Sequence, residues 1–319
     1  MTRDVMSYND DLRLAHAIAD SVDSLTMSRF KAQDLQVDTK PDLTPVTDAD
    51  RSAEEAIRSQ LARSRPRDAV LGEEFGSTGH GARRWVIDPI DGTKNFVRGV
   101  PVWATLISLM DEGRSVVGLV SAPALGRRWW GAEGTGSYTG KSLAAATRLQ
   151  VSGISDLADA SLSYSSLGGW RDRGQLDAML DLHDAVWRTR AYGDFWSYCL
   201  LAEGAVDIAC EPELNLYDMA ALVPIITEAG GRFTSLDGED GCLGGNALAT
   251  NTRLHDAALA VLNGTTGATV PAGSQQHFAD RPATETEASA GIHDADGHRD
   301  GEIPTPPYTE RHSSPWENA

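Results

Sequence analysis

Cysteine is scarce in this chain of 319 residues. The three present, Cys199, Cys210 and Cys242, form no C-x-x-C pair and are odd in number. That excludes a disulfide framework and a zinc knuckle, and leaves them as buried or inert thiols. Long apolar runs are missing too: no stretch reaches the roughly 18 apolar residues of a membrane span. Asp10, Asp11, Arg13 and Asp20 interrupt the N-terminus before the core of a signal peptide can form, so a soluble, cytoplasmic protein is expected. Basic charge is in deficit, 28 Lys and Arg against 46 Asp and Glu, for a net charge of −18. Such a surface repels a phosphate backbone and excludes nucleic-acid binding by a basic face. It leaves open chemistry on a small phosphorylated molecule, because bound cations reverse the sign locally.

What is present is ordinary globular material, 41% hydrophobic and 23% charged, enough for one large domain or two smaller ones. Leu14, Ile18, Val22 and Leu25 recur at helical spacing, so the chain is expected to open with an amphipathic helix. Thr47 is placed to cap a second helix through Ala53, Ile57 and Leu61, after irregular chain around Pro41 and Pro45. Residues 85–87, 105–110 and 116–120 read as strands of one sheet. From Gln175 the period changes, and Leu176, Met179, Leu180, His183, Val186 and Trp187 share one helical face. Further helices are expected over 196–205 and over 218–229, where Pro224 forces a kink or a later start. Strands over 232–235 and 247–250 and a helix ending near Leu262 complete the pattern.

The expected fold class is α/β: an α+β part at about 1–150 and an α/β part at about 151–264, together one domain over 1–264. Residues 265–319 are Thr, Gly, Pro, Ala, Ser and acid with few large apolar side chains, and cannot offset the entropy of ordering. A disordered acidic tail is expected there, whose His277, His293, His298 and His312 match no metal-ligand spacing.

The most informative stretch is W-V-I-D-P-I-D-G-T-K-N-F, from Trp85 to Phe96. An apolar strand delivers Asp88, Pro89 is expected to stop its ladder, and Asp91 follows at a turn that Gly92 permits. The backbone of Gly92 and Thr93 then opens a helix, where unsatisfied N–H groups favour a phosphate oxygen. D-x-x-D-G is also an ordinary strand-to-turn corner. The weight shifts with Gly72-Glu73-Glu74, which follows the apolar run Ala69-Val70-Leu71 and brings more acid to a strand end. Carboxylates crowded within a few ångströms raise one another's pKa unless a cation sits among them. Oxygen-only donors favour Mg²⁺ over zinc or copper.

These residues carry a resemblance. G-E-E, then W-V-I-D-P-I-D-G-T-x-N-F, then Y-D-M-A-A followed by T-E-A-G-G, resembles the inositol monophosphatase superfamily over about residues 10–262. The resemblance implies a layered αβαβα sandwich, usually a homodimer, that hydrolyses small phosphate monoesters with two or three Mg²⁺ ions. Carried onto this chain, Glu73, Asp88 and the Ile90 carbonyl would hold the first metal, and Asp88, Asp91 and Asp218 the second. Asp50 and Thr93 would activate the attacking water, with Glu73 beside them. Lys40 would sit in a mobile loop reaching toward the pocket, or be a solvated surface lysine. No covalent phosphoenzyme is implied, and His16, His80, His183 and His255 read as surface or core residues.

Substrate choice falls to Glu211, seven residues before Asp218, and to Asp194 in Y-G-D-F-W, where inositol enzymes generally carry a small neutral residue. Two acids suit a cationic substrate better than a neutral polyol. Y-G-D-F-W, A-P-A-L-G-R-R-W-W-G and E-P-E-L-N-L-Y-D resemble the branch acting on L-histidinol phosphate, a step of histidine biosynthesis. The alternative in class is an inositol-1-phosphate phosphatase; the alternative outside it is a catalytically silent, metal-binding regulator. Asp194 also fits a helix N-cap. Residues 127–130 are expected at a hairpin surface and a dimer contact rather than in the pocket.

Overall fold

Leu12, Ala15, Ile18, Ala19 and Val22 recur every three or four residues, and the helix they form buries all of them. In the computed structural model, which describes residues 8–41 and 43–264, this is α1 (Asn9–Arg29). A hairpin of β1 (Val37–Thr39) and β2 (Pro45–Thr47) leads into α2 (Asp48–Ser64). Thr47 caps α2: its hydroxyl accepts the Ala49 and Asp50 N–H groups, and its own N–H donates back to Asp50 Oδ2 at 2.8 Å.

Next come β3 (Ala69–Gly72), β4 (Gly76–Thr78), β5 (Arg83–Asp91), α3 (Thr93–Val97), β6 (Ala104–Asp111), β7 (Arg114–Ala122), β8 (Arg127–Ala132), β9 (Gly136–Ser142) and β10 (Ala145–Arg148). They build a sheet in the order β10-β9-β8-β7-β6-β5-β3-β4, antiparallel except for the β3 and β5 pair. The remainder is β11 (Ser161–Ser163), α4 (Leu167–Asp172), α5 (Leu176–Ala185), β12 (Arg188–Arg190), α6 (Asp194–Ala202), β13 (Ile208–Glu211), α7 (Leu216–Met219), α8 (Leu222–Glu228), β14 (Arg232–Thr234), β15 (Ala247–Thr250) and α9 (His255–Leu262). Its strands run β12-β11-β13-β15-β14.

Alternation along the strands sorts side chains into layers. In β6, Ile107 and Leu109 join the core under α1 and α2, while Ala104 and Leu106 meet α6 and α8. In β13, Ala209 faces that middle layer; Ile208 and Cys210 turn outward to Met179 and Leu182 of α5 and Ala258 and Val261 of α9. The result is a five-layer αβαβα sandwich. Among the described residues no helix is long and apolar enough to cross a membrane.

Several local expectations are corrected. The strand does not stop at Pro89: β5 continues to Asp91 through a register shift between Asp88 and Asp91. On α5 the buried face is Met179 and Leu182; Leu180 and Trp187 are exposed. The expected 218–229 helix is two, α7 and α8, because Pro224 has no N–H for the Ala220 carbonyl. Ser108 and Ser115 hydroxyls donate to that carbonyl instead, at 3.1 and 2.5 Å. Residues 127–130 are not a hairpin surface: Arg128, Trp129 and Trp130 are buried in β8, where Arg128 binds Asp20 and Asp23 of α1. His16 and His255 are buried, and His80 and His183 exposed. The 265–319 segment, with its histidines, lies outside the described residues.

Candidate active site

The bulge in β5 aims its acids. Asp88 is buried, and its Oδ1 accepts the Ile90 N–H at 3.0 Å. Asp91 ends the strand, and Gly92, at φ +81°, turns the chain into α3. Across the middle layer, Asp218 is held in α7 by the Asn215 N–H, which donates to its Oδ2 at 2.7 Å. One carboxylate oxygen each of Asp88, Asp91 and Asp218 lies within 4.8 Å of the others.

Three carboxylates at that range cannot all remain ionised without help. Burial raises Asp88 and Asp91 well above the usual carboxylate range; Glu73 and Asp91 charges add at Asp88, Asp194 and Asp218 charges at Asp91. Asp218 is pushed up to about 7, by burial first and then by Glu73 and Asp194, against the Asn215 hydrogen bonds. The oxygen-only donor set fits a hard divalent cation. Glu73 is not one of the three clustered acids. Its Oε1 accepts from Lys40 Nζ at 2.6 Å, and Glu74 Oε1 accepts from the same nitrogen at 2.7 Å. Lys40 is therefore no solvated surface lysine: burial alone would lower its pKa, yet these two carboxylates raise it.

The G-E-E turn hangs on a residue the motif reading missed. Glu54 of α2 is buried and accepts the Glu74 N–H at 2.7 Å, the Phe75 N–H at 3.1 Å and Arg58 Nε at 2.7 Å. Gly72 is required beside it, since a Cβ there would lie 2.1 Å from Glu54 Oε1. The signal was legible: Glu54 is a charge inside the buried stripe Asp50, Ala53, Ile57, Leu61. Glu54→Ala is expected to cost about 2–4 kcal/mol, because it strands two partly buried N–H groups and Arg58. A melting temperature within a degree of the parent's would show that the turn does not depend on Glu54.

Asp50 meets the site from below. Its Oδ2 is spent on the Thr47 cap, and its Oδ1 accepts from Thr93 Oγ1 at 3.4 Å; the same hydroxyl donates to the Ile90 carbonyl at 2.9 Å. Burial pushes Asp50 up to about 6, against the Thr47 hydrogen bonds and with the Glu73 charge adding.

These elements enclose a cavity of about 220 Å³, lined by Glu73, Asp91, Gly92, Thr93, Asp194, Glu211 and Asp218 among others. Sequence reasoning passed over Thr44, Lys94, Tyr198 and Asn215 in its wall. Residues 127–130 do not line it. Asp194 is not the cap of α6: Gly193 is, and Asp194 takes the first helical position at φ +49°, strained for a side-chain-bearing residue. Its Oδ2 accepts from Asn95 Nδ2 at 3.1 Å. Burial raises Asp194, while Lys94 works against it. Glu211 at the end of β13 is pushed up to about 8, by burial against a Ser165 hydrogen bond, with the Asp194 and Asp218 charges adding and a contact from the Tyr198 hydroxyl opposing.

Comparison with known proteins places this geometry. The profile of the inositol monophosphatase family matches residues 9–267. The chain is 65% identical to a histidinol-phosphatase of Streptomyces coelicolor over 260 residues, covering 80% of this chain and 98% of that protein. It is 59% identical over 256 residues to a histidinol-phosphatase of Mycobacterium tuberculosis, with 80% and 98% covered. Among solved structures, an inositol monophosphatase from Zymomonas mobilis superposes with a TM-score of 0.72 at 32% identity, covering 81% of this chain and 99% of that one.

Proposed function

The chain belongs to the inositol monophosphatase family and is a phosphoric monoester hydrolase; from that premise we propose that it cleaves L-histidinol phosphate to L-histidinol and phosphate, a step of histidine biosynthesis. The observation that carries the choice of ester is a further pair of acids in the cavity wall. Asp194 and Glu211 face the same space as the metal-type carboxylates, and both are held up by burial. A ligand ammonium relieves that burial, and a neutral polyol does not.

Glu73, Asp88, Asp91, Asp218 and the Ile90 carbonyl would hold Mg²⁺, two or three ions. Bound there, the ions would neutralise phosphate oxygens, acidify a water and stabilise the leaving alkoxide. The chain's own residues do the rest. Thr93 accepts a proton from the water while passing its own toward Asp50 Oδ1, the stronger of its two acceptors once Asp50 is ionised. The turn at Gly92 and Thr93 presents backbone to the phosphate, and Lys40, now on Glu73 and Glu74, would yield that carboxylate to the ion. The same reading makes the protein a cytoplasmic homodimer acting on a small molecule, with one catalytic domain over 1–264.

Phosphate release with Mg²⁺ from L-histidinol phosphate and inositol 1-phosphate, measured side by side, tests the assignment. Histidinol phosphate is expected to be preferred by about 100-fold in kcat/KM, two acid-to-cation contacts at about 1.5 kcal/mol each. Asp194→Ala should raise KM for histidinol phosphate about tenfold and for the inositol ester less than twofold. Equal effects on both esters would remove Asp194 from recognition, and no metal-dependent release from either would leave a silent regulator.

A further inference from the structure

Two polar atoms in the cavity wall lack a hydrogen bond of ordinary length and angle. The Tyr198 hydroxyl, in a residue 1% exposed, and Glu211 Oε1, in one 6% exposed, are buried and reach no partner at full hydrogen-bond geometry, although the two groups lean toward each other. A buried polar group short of a full hydrogen bond is costly, so two in one wall mark a place where a ligand completes the bonding. They do not stand apart: burial first, then the Glu211 charge and a long contact of the phenol with that carboxylate, raise the Tyr198 phenol well above its usual range, and the same contact opposes the rise at Glu211. Tyr198 also lies four residues after Asp194 on α6, which puts both on one helix face, toward the cavity they share.

We propose that Tyr198 is a specificity-determining residue that, with Glu211 and Asp194, receives the ammonium group of the substrate. The inference rests on the proposed amino-alcohol ester and deepens it by assigning where the amine sits. The argument is one of donor counting. Three oxygens, from Asp194, Tyr198 and Glu211, face this end of the cavity, and a protonated amine carries three N–H donors. A hydroxyl carries one, so a neutral polyol would have to place three hydroxyls at once to match it, and none of them brings a positive charge to the two carboxylates. The phenol stays protonated, adding an acceptor without a third negative charge, and its own O–H, already directed toward Glu211, closes to a full hydrogen bond once the cation draws that carboxylate in. An imidazolium ring, with two N–H donors pointing apart, cannot reach all three.

The test is Tyr198→Phe, which keeps the ring in the core and removes only the hydroxyl. KM and kcat are measured for L-histidinol phosphate and for its des-amino analogue, the same imidazole alcohol phosphate without the amine. In the parent the amino ester is preferred; in the variant that preference is expected to fall about tenfold, carried by KM and not kcat. Isothermal titration of L-histidinol should show the same tenfold loss in affinity. Equal losses on both esters, or a loss carried by kcat, would make Tyr198 a structural residue and overturn the assignment. If the parent itself does not distinguish the two esters, the amine is not read at all, and the substrate reading fails together with this one. A parent that discriminates and a variant that discriminates as well overturn the role of Tyr198 alone.

Discussion

Replacing Asp88 with asparagine is expected to reduce kcat by about 1,000-fold or more, roughly 4 kcal/mol of transition-state stabilisation, while the protein stays folded. In the proposed reading Asp88 would serve both metals, since it is buried, grouped with Asp91 and Asp218, and felt by Glu73. Asparagine has the same shape, and its Oδ1 can still accept the Ile90 N–H, so the bulge in β5 should persist. What disappears is a charge. In metal-free protein that loss is a gain: the native Asp88 binds its proton more tightly than the unfolded chain does, so the parent loses stability as pH rises above the ordinary carboxylate value. Metal-free Asp88→Asn should therefore melt a few degrees above metal-free parent at pH 8, with the gap closing toward pH 4. With Mg²⁺ the order should reverse, because the parent alone gains strongly from the ion. Near-parental turnover, or identical Mg²⁺ protection of the two proteins, would remove Asp88 from the metal centre.

How much of this was legible in the sequence follows from the range of the interactions involved. The strand, the Asp88 and Asp91 pair and the Gly92 turn lie within a dozen residues, where periodicity and turn chemistry act locally. Thr47 was readable as a cap for the same reason. The failures are tertiary. Nothing near Arg128 and Trp129 announces that β8 is covered on both faces, so an Arg-Trp run looks like surface although it is core. Pro224 warned of a break, but only the Ser108 and Ser115 hydroxyls, more than a hundred residues away, show how the freed Ala220 carbonyl is satisfied. Tyr198 was invisible because its importance is an incomplete bond beside Glu211, 13 residues on, which no spacing encodes. Lys40 needed its partner, Glu73, 33 residues on, before surface and site could be told apart.

The second large effect is expected at Asp50 and Thr93, the pair proposed to activate the water. Asp50→Asn and Thr93→Val should each lower kcat by about 100- to 1,000-fold, the range a positioned proton acceptor contributes. Asp50 is tied down by the Thr47 cap, so in the variant the amide oxygen keeps the cap and Nδ2 turns to Thr93. The hydroxyl then faces a donor where it had an acceptor, and its proton has nowhere to go. Valine removes the hydroxyl at nearly constant volume, with the Ile90 carbonyl losing one donor. If the two residues form one relay, cutting it twice costs little more than cutting it once. The double variant should fall within about threefold of the weaker single, a strongly non-additive cycle. Multiplying losses, about 10,000-fold or more in the double, would mean that Asp50 and Thr93 act on separate steps. Asp50 would then be read as the capping-box partner of Thr47, whose loss disturbs the site through the start of α2, and a drop in melting temperature of that variant alone would accompany the loss.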